Sequence, residues 1–273
     1  PKEIPDIPTF RGYHIENELG RGGMSVVYKA LEEKTGRIVA IKTMRPQVAV
    51  NEDNIRIFQR EIKINRQLRH KNIVEIFKCG KSKGLFFFVL EFVDGMDLDV
   101  FIKSEGGCVN IETAGPIMLG ILEGLAYAHR VKIKMKFASG KEKRFTGIVH
   151  RDIKPQNILL ARNKNEWIPK IVDFGLSKIF ESAGLTNMTI AGQVAGTPIY
   201  WPREQITHYK YLNPATDVFS IAAVFYEMLT GEYVREGFRE MFAQCQDQNG
   251  FPGVADFMRI ISANPPIPLR DRR

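Results

Sequence analysis

Residues 150–157 read HRDIKPQN, which sets a histidine, an arginine, an aspartate, a lysine and an asparagine within eight positions. Ile148-Val149 precede them and Ile158-Leu159-Leu160 follow. A solvated loop is not normally hemmed in by aliphatic runs, so this polar group is pinned between buried segments. Any fold open to the chain must bring partners to it, because burying polar groups without hydrogen bonds is costly. With 273 residues, 44% hydrophobic and 26% charged, the chain is long enough for one large core or two modest lobes and has an ordinary globular composition.

Composition also excludes several classes. The longest apolar run, GLFFFVLEFV at 84–93, stops at Asp94-Gly95, short of the roughly 18–20 residues that span a bilayer. The opening PKEIPDIPTF lacks the charged-then-apolar pattern of a signal peptide, and the expected location is the cytoplasm. Cys79, Cys108 and Cys245 are far apart and odd in number, so they offer neither a disulfide framework nor a zinc spacing and read as mostly buried free thiols. The net charge of +8 is not accompanied by any nucleic-acid module, and no nucleic-acid partner is expected.

The first part of the chain reads as strands at Tyr13 to Leu19, Val26 to Leu31, Arg37 to Met44, Ile73 to Cys79 and Leu85 to Phe92, with Gly- and Lys-rich turns between them. A helix is expected from Glu52 to Leu68, where Ile55, Phe58, Ile62 and Leu68 keep approximately helical spacing. After Asp94-Gly95 the pattern becomes helical. Ile111 to His129 is apolar on one broad face, and Pro214 to Thr230 is apolar nearly all round, as a buried central helix would be, with Gly231 ending it. The chain thus divides near residue 92 into a small strand-rich lobe and a larger helical one, and ligands tend to sit in such clefts. Residues 130–146, RVKIKMKFASGKEKRFT, read as an exposed basic hairpin. A solvated hairpin and a docking surface for an acidic partner both remain open for it.

Gly20-Arg21-Gly22-Gly23 lies between two expected strands, where glycines let backbone N–H groups approach phosphate oxygens. A Rossmann site would need a helix to follow, and a strand follows here. Val39-Ala40-Ile41-Lys42 ends an apolar strand on a cation suited to polyphosphate, and Glu61 on the expected helix is a candidate partner for that lysine. Asp152 can serve as base, Asn157 as a Mg²⁺ ligand through its amide oxygen, and Lys154 as a neutraliser of phosphate charge. Lys170-Ile171-Val172-Asp173-Phe174-Gly175 delivers a second oxygen ligand, Asp173, to an ion that prefers one or two carboxylates with phosphates and water.

The glycine loop, VAIK, HRD with its following asparagine, and DFG, in this order, resemble the protein-kinase signature over roughly residues 10 to 270. The resemblance implies an α+β, protein-kinase-like bilobal fold. Residues 1–12 are then an N-terminal extension, 13–92 a small antiparallel-sheet lobe with one main helix, and 93–273 a mostly helical lobe with a basic insertion at 130–146. It further implies that Gly20 and Gly22 cover ATP, that Lys42 binds its α- and β-phosphates and pairs with Glu61, and that Val27 and Ala40 roof the adenine. Leu90, Glu91, Phe92 and Val93 match the gatekeeper and hinge, and Leu159 the floor. Asp152 is implied as catalytic base, Asn157 and Asp173 as ligands of Mg²⁺ or Mn²⁺, and Lys154 as a γ-phosphate contact. The Lys-Pro after HRDI is similar to serine/threonine rather than tyrosine kinases, so protein serine and threonine hydroxyls are the implied substrates. Arg151 beside Asp152 is similar to kinases whose activation segment is ordered by phosphate, with Thr189 and then Thr186 as the expected autophosphorylation sites. Thr197 matches the position that contacts base and substrate.

The chain departs from the family pattern at Ser25, in place of the third glycine, and at Pro202-Arg203-Glu204, which keeps only the glutamate of APE. The tail NPPIPLRDRR reads as a linker leading to two further helices, so the large lobe is expected to be incomplete at its end. Asn65 stands where the resemblance implies an apolar stack with Phe174 and His150, and the active arrangement is accordingly expected to need phosphorylation or a partner. The PREQI run, Ala222-Ala223 and the basic insertion are similar to bacterial Hanks-type serine/threonine kinases. A pseudokinase-like scaffold that binds ATP is the alternative from another class. Lys42, Asp152 and Asp173 all argue for an enzyme, and the Lys-Pro after HRD argues against a small-molecule kinase.

Overall fold

The computed structural model describes residues 8–22, 25–44, 62–82, 85–136, 142–164, 166–174, 198–208, 212–247 and 252–272. The chain forms two compact units, Pro1–Arg69 with Val74–Val93, and His70–Ile73 with Asp94–Arg273.

The first unit is built on β1 (Tyr13–Arg21), β2 (Ser25–Glu32), β3 (Arg37–Met44), β4 (Ile76–Ser82) and β5 (Leu85–Glu91), an antiparallel sheet in the order β1-β2-β3-β5-β4. Successive side chains of a strand point to opposite faces, and this sorts the residues. Ala30, Val39, Ile41, Phe87 and Val89 pack with Phe10 and Tyr13 into a core on one face, where the Phe10 and Phe87 rings lie 4.8 Å apart. Burial of each large side chain there stabilises the unit by about 1.5–3 kcal/mol. Val27 opposes Lys42, Lys42 opposes Phe88, and Ala40 opposes Leu90, so these five share the other face.

Two expectations change here. The strand expected at Ile73 begins at Ile76, because Ile73 makes a parallel bridge to Ile171 in the second unit. Of the helix expected from Glu52 to Leu68, residues 62–65 are helical and a turn at 66–67 ends it before Leu68. Its earlier part lies outside the described residues.

The second unit carries β6 (Gly95–Asp97), α1 (Leu98–Ser104), α2 (Ile111–Arg130), β7 (Lys132–Lys136), β8 (Glu142–Thr146), β9 (Ile158–Asn163) and β10 (Glu166–Ile171). Helices α3 (Arg203–Thr207), α4 (Pro214–Thr230), α5 (Phe238–Asp247) and α6 (Val254–Ala263) follow. α2 starts where the Asn110 side chain accepts from Thr113 N at 2.8 Å, and it buries Ala114, Ile117, Met118, Ile121, Leu125 and Ala128, one helical face. α4 has Asn213 as N-cap, Pro214 at N1 and Gly231 at φ 70° as its left-handed C-cap. It is not buried all round: Val218 and Ala222 are exposed, because an apolar composition fixes only how much surface a helix can bury. Nor are the thiols buried, since Cys108 is exposed beyond Gly106-Gly107 and Cys79 and Cys245 are half-buried.

Strands β10, β9 and β6 form a small sheet in that order. The outer edge of β10 is clipped by residues 70–73, with Ile171 N donating to Asn72 O at 2.8 Å and Asn72 Nδ2 donating to Pro169 O at 2.8 Å. β7 and β8 pair as the expected hairpin, anchored by the buried Ile133. Gly147 closes its base at φ 77°, where a Cβ would lie 2.5 Å from His129 O, and its N–H donates to Val131 O. No helix among the described residues is long and apolar enough to cross a membrane.

Candidate active site

The HRDIKPQN segment runs from the hairpin base into β9, and its polar groups are held by α3, α4 and the chain leaving β10. Asp217, on the buried stripe of α4 and 0% exposed, is the main anchor. Its Oδ2 accepts from His150 N at 2.8 Å and from His129 Nε2 at 2.7 Å, and its Oδ1 accepts from Arg151 N at 2.9 Å. From α3, Gln205 Nε2 donates to Arg151 O at 2.7 Å. Arg151 is thereby gripped at both its N–H and its C=O, which holds it at φ 72°, a left-handed conformation that costs a non-glycine residue roughly 1–2 kcal/mol.

His150 is fully buried and bridges two segments. Its Nε2 lies 2.7 Å from Val172 O and its Nδ1 is 3.2 Å from Asp152 N. A carbonyl can only accept and a backbone N–H can only donate, so the ring carries its proton on Nε2. Its edge meets Phe174 at a centroid distance of 4.7 Å.

These supports position a compact polar cluster. Asn157 Nδ2 donates to Asp152 O at 2.7 Å and to Asp152 Oδ2 at 3.0 Å, and Lys154 Nζ also sits 3.0 Å from Oδ2. The Asp152 side chain is 25% exposed, so a carboxylate fixed from behind still reaches solvent. Asn157 O accepts from Val172 N at 3.0 Å, tying the segment to the residue before Asp173. Asp173 is half-buried and, like Arg151, left-handed, at φ 64°. Leu159, half-buried on β9, stands opposite Lys170 and Asp97.

The remaining sequence-derived candidates lie in the first unit. Val27, Ala40 and Lys42 share one face of the sheet with Leu90. Glu91 pairs with Val39, its N–H donates to Glu75 O, and Val93 is half-buried just beyond β5. Gly20 opposes Val27, and Gly22 N donates to Ser25 O at 2.9 Å. A Cβ at Gly20 would meet nothing within 4 Å and one at Gly22 only ordinary contacts at 3.8 Å, and neither residue has a positive φ. Packing among the described residues therefore does not require glycine at either position. Asn65 is buried in this unit, whereas the His150–Phe174 contact belongs to the other. Glu61, Thr186, Thr189 and Thr197 lie outside the described residues.

Asp217, His129 and Gln205 were not singled out as functional from sequence. The available signal was an acid in PATDVFSIAAVF, at the same helical stripe as Ser220, Ile221, Val224 and Met228: an aspartate on a buried face must be partnered.

Comparison with known proteins places a protein kinase domain over residues 13–258. The chain is similar to a probable serine/threonine-protein kinase of Clostridium perfringens, 33% identical over 219 residues, which covers 80% of this chain and 29% of the relative. It is also similar to the probable serine/threonine-protein kinase pknA2 of Bifidobacterium longum, 34% identical over 92% of this chain and 32% of the relative. The probable serine/threonine-protein kinase PknB of Lactococcus lactis is 32% identical over 94% of this chain and 36% of the relative. The chain thus spans about a third of the length of the curated relatives it matches.

Proposed function

The chain belongs to the protein kinase domain family, and on that premise we propose that it transfers the γ-phosphate of ATP to serine or threonine hydroxyls of protein substrates. The observation that carries this reading is the fixed Asp152. Asn157 and Lys154 both engage its Oδ2, which leaves Oδ1 to meet the substrate hydroxyl. As the hydroxyl oxygen bonds to the γ-phosphorus and the bond to the ADP oxygen breaks, the hydroxyl proton passes to Asp152. Lys154, beside the carboxylate, offsets negative charge on the phosphoryl group in transit.

Family kinases use ATP with a divalent metal, and the donors present here fit such an ion. Asn157 commits its amide nitrogen to Asp152, so its amide oxygen faces the other way, and with the Asp173 carboxylate it makes an all-oxygen set of the kind Mg²⁺ prefers. Mg²⁺, with Mn²⁺ as the alternative, supplies neutralisation of the β- and γ-phosphates when bound. In the same reading Lys42 holds the α- and β-phosphates with Glu61 as its partner, and Gly20 and Gly22 admit phosphates into the space their missing Cβ atoms leave. Val27, Ala40 and Leu159 enclose the adenine, and the backbone at Glu91 and Val93 meets its edge. Residues 13–92 then serve as the small lobe and 93–273 as the large one, working on cytoplasmic ATP. Autophosphorylation at Thr189 or Thr186 completes the proposal.

The test is incubation with MgATP and a degenerate serine/threonine peptide mixture, followed by mass spectrometry. Asp152→Asn is expected to lower transfer by about 10²–10⁴-fold while the protein stays folded by circular dichroism. Transfer by that variant at the parent's rate, or none from the folded parent, would overturn the reading.

A further inference from the structure

The loop between α4 and α5 buries a cation. Arg235 is 2% exposed, and burying a charge is expensive unless it is paired and hydrogen-bonded. Among the described residues its Nε has no hydrogen-bond partner. The guanidinium is met instead by the Phe219 ring of α4, with its carbon 4.9 Å from the ring centroid, and by the Trp201 carbonyl, which accepts from Nη1 at 3.1 Å. Burial, with Arg203 nearby, pushes the pKa of Arg235 down to about 10, and Glu204 pulls the other way. An apolar side chain of similar volume would fill the place without that cost. What the guanidinium adds is its grip on Trp201.

That grip falls at a joint. Trp201 N donates to Pro198 O at 3.0 Å, closing the short helical turn at Pro198–Tyr200, and the next residue, Pro202, is the N-cap of α3. Helix α3 has five residues, too few to hold its place by backbone hydrogen bonds of its own. Side chains fix it. Arg203 Nε donates to Ile261 O at 3.0 Å, and the buried Gln205 donates to Arg151 O at 2.7 Å. Two hydrogen bonds, Arg235 to Trp201 and Gln205 to Arg151, thus flank α3 and end at the left-handed residue beside Asp152.

We propose that Arg235 is a positioning residue: its hydrogen bond to Trp201 sets the seat of α3, and through Gln205 it sets the left-handed backbone of Arg151 and the aim of Asp152. Arginine suits the task because a guanidinium can lie against an aromatic face and still donate in its own plane to a carbonyl. The effect on rate rests on the phosphotransfer reading. The effect on the backbone of Arg151 does not.

The experiment compares Arg235→Met and Arg235→Gln, both of which remove the guanidinium, with the parent by residue-resolved amide hydrogen exchange, circular dichroism and peptide phosphorylation. The His150 and Arg151 amides, which donate to Asp217, are expected to exchange at least about tenfold faster in both variants while amides in the middle of α4 keep the parent's rate, as local opening requires. A residue that merely adds stability would speed both sets together. Gln205→Leu is expected to free the same two amides, and adding Arg235→Met to it is expected to speed them little further, because links of one relay are not additive. With MgATP and peptide, kcat is expected to fall about tenfold or more at unchanged KM for ATP. Unchanged exchange at His150 and Arg151, equal acceleration in α4, additive effects in the double variant, the parent's kcat in a folded variant, or failure of both variants to fold would each overturn the proposal. A folded parent without activity would instead sink the phosphotransfer reading and leave the exchange rates to decide this one.

Discussion

Arg151 and Asp173 hold left-handed backbone conformations that their side chains disfavour, and Arg151 is held there by a clamp of single residues from distant elements. Asp217 is the strongest part of that clamp, with two backbone N–H groups and one imidazole on its two oxygens. Replacing it by asparagine puts an N–H₂ where an acceptor is needed and leaves a buried donor unmatched, a loss of about 1–3 kcal/mol. Asp217→Asn is therefore expected to lower Tm by several degrees and to slow phosphotransfer by misplacing Asp152. A variant as stable and as active as the parent would remove Asp217 from this role. The chemistry-bearing residues were legible from sequence because Asp152, Lys154 and Asn157 lie within one short motif. Asp217 and Gln205 were not, because their meaning comes from partners 66 and 54 residues away.

Elements were legible where their pattern was local and misread where pairing was remote. β3 and α4 fall where period and caps place them, whereas Ile73 looked like the start of a strand and instead bridges to Ile171. Near its C-terminal end α4 also carries a titrating pair. Tyr200 Oη donates to Glu227 Oε2 at 2.6 Å, and burial pushes the Glu227 carboxyl above its ordinary value and the Tyr200 phenol well above its own. The folded chain thus keeps the Glu227 proton to higher pH than the unfolded chain does. The stability this contributes is full below the ordinary carboxylate range and is lost as pH rises through the folded value. Glu227→Gln keeps an acceptor for Tyr200 without the charge. Its Tm relative to the parent is expected to rise between about pH 4 and pH 7, and a constant difference across that range would refute the argument.

For the molecule as a whole, the residues proposed to hold nucleotide are divided between two units that each have their own core. Val27, Ala40 and Lys42 lie in one, and Asn157, Leu159 and Asp173 in the other. A ligand that binds only the folded form stabilises it by about 2.7 kcal/mol at a hundredfold excess over its Kd, or roughly 5–10 °C in a chain of this size. MgADP is expected to raise Tm by that order, with the shift reduced by Lys42→Met in the first unit and by Asp173→Asn in the second. An undiminished shift in either variant would remove that residue from the nucleotide-binding reading.

The clip on the small sheet has a consequence for how such chains behave in concentrated solution. Ile171 spends its outward N–H on Asn72, and Pro169, two positions earlier and facing the same way, has no N–H to give and has its carbonyl occupied. A strand from a neighbouring molecule would find this border without a row of donors to zip onto, so the β10 edge of the small sheet is protected from pairing with another chain. Opening that border, with Pro169→Val and Asn72→Ala together, would invite the molecule to polymerise.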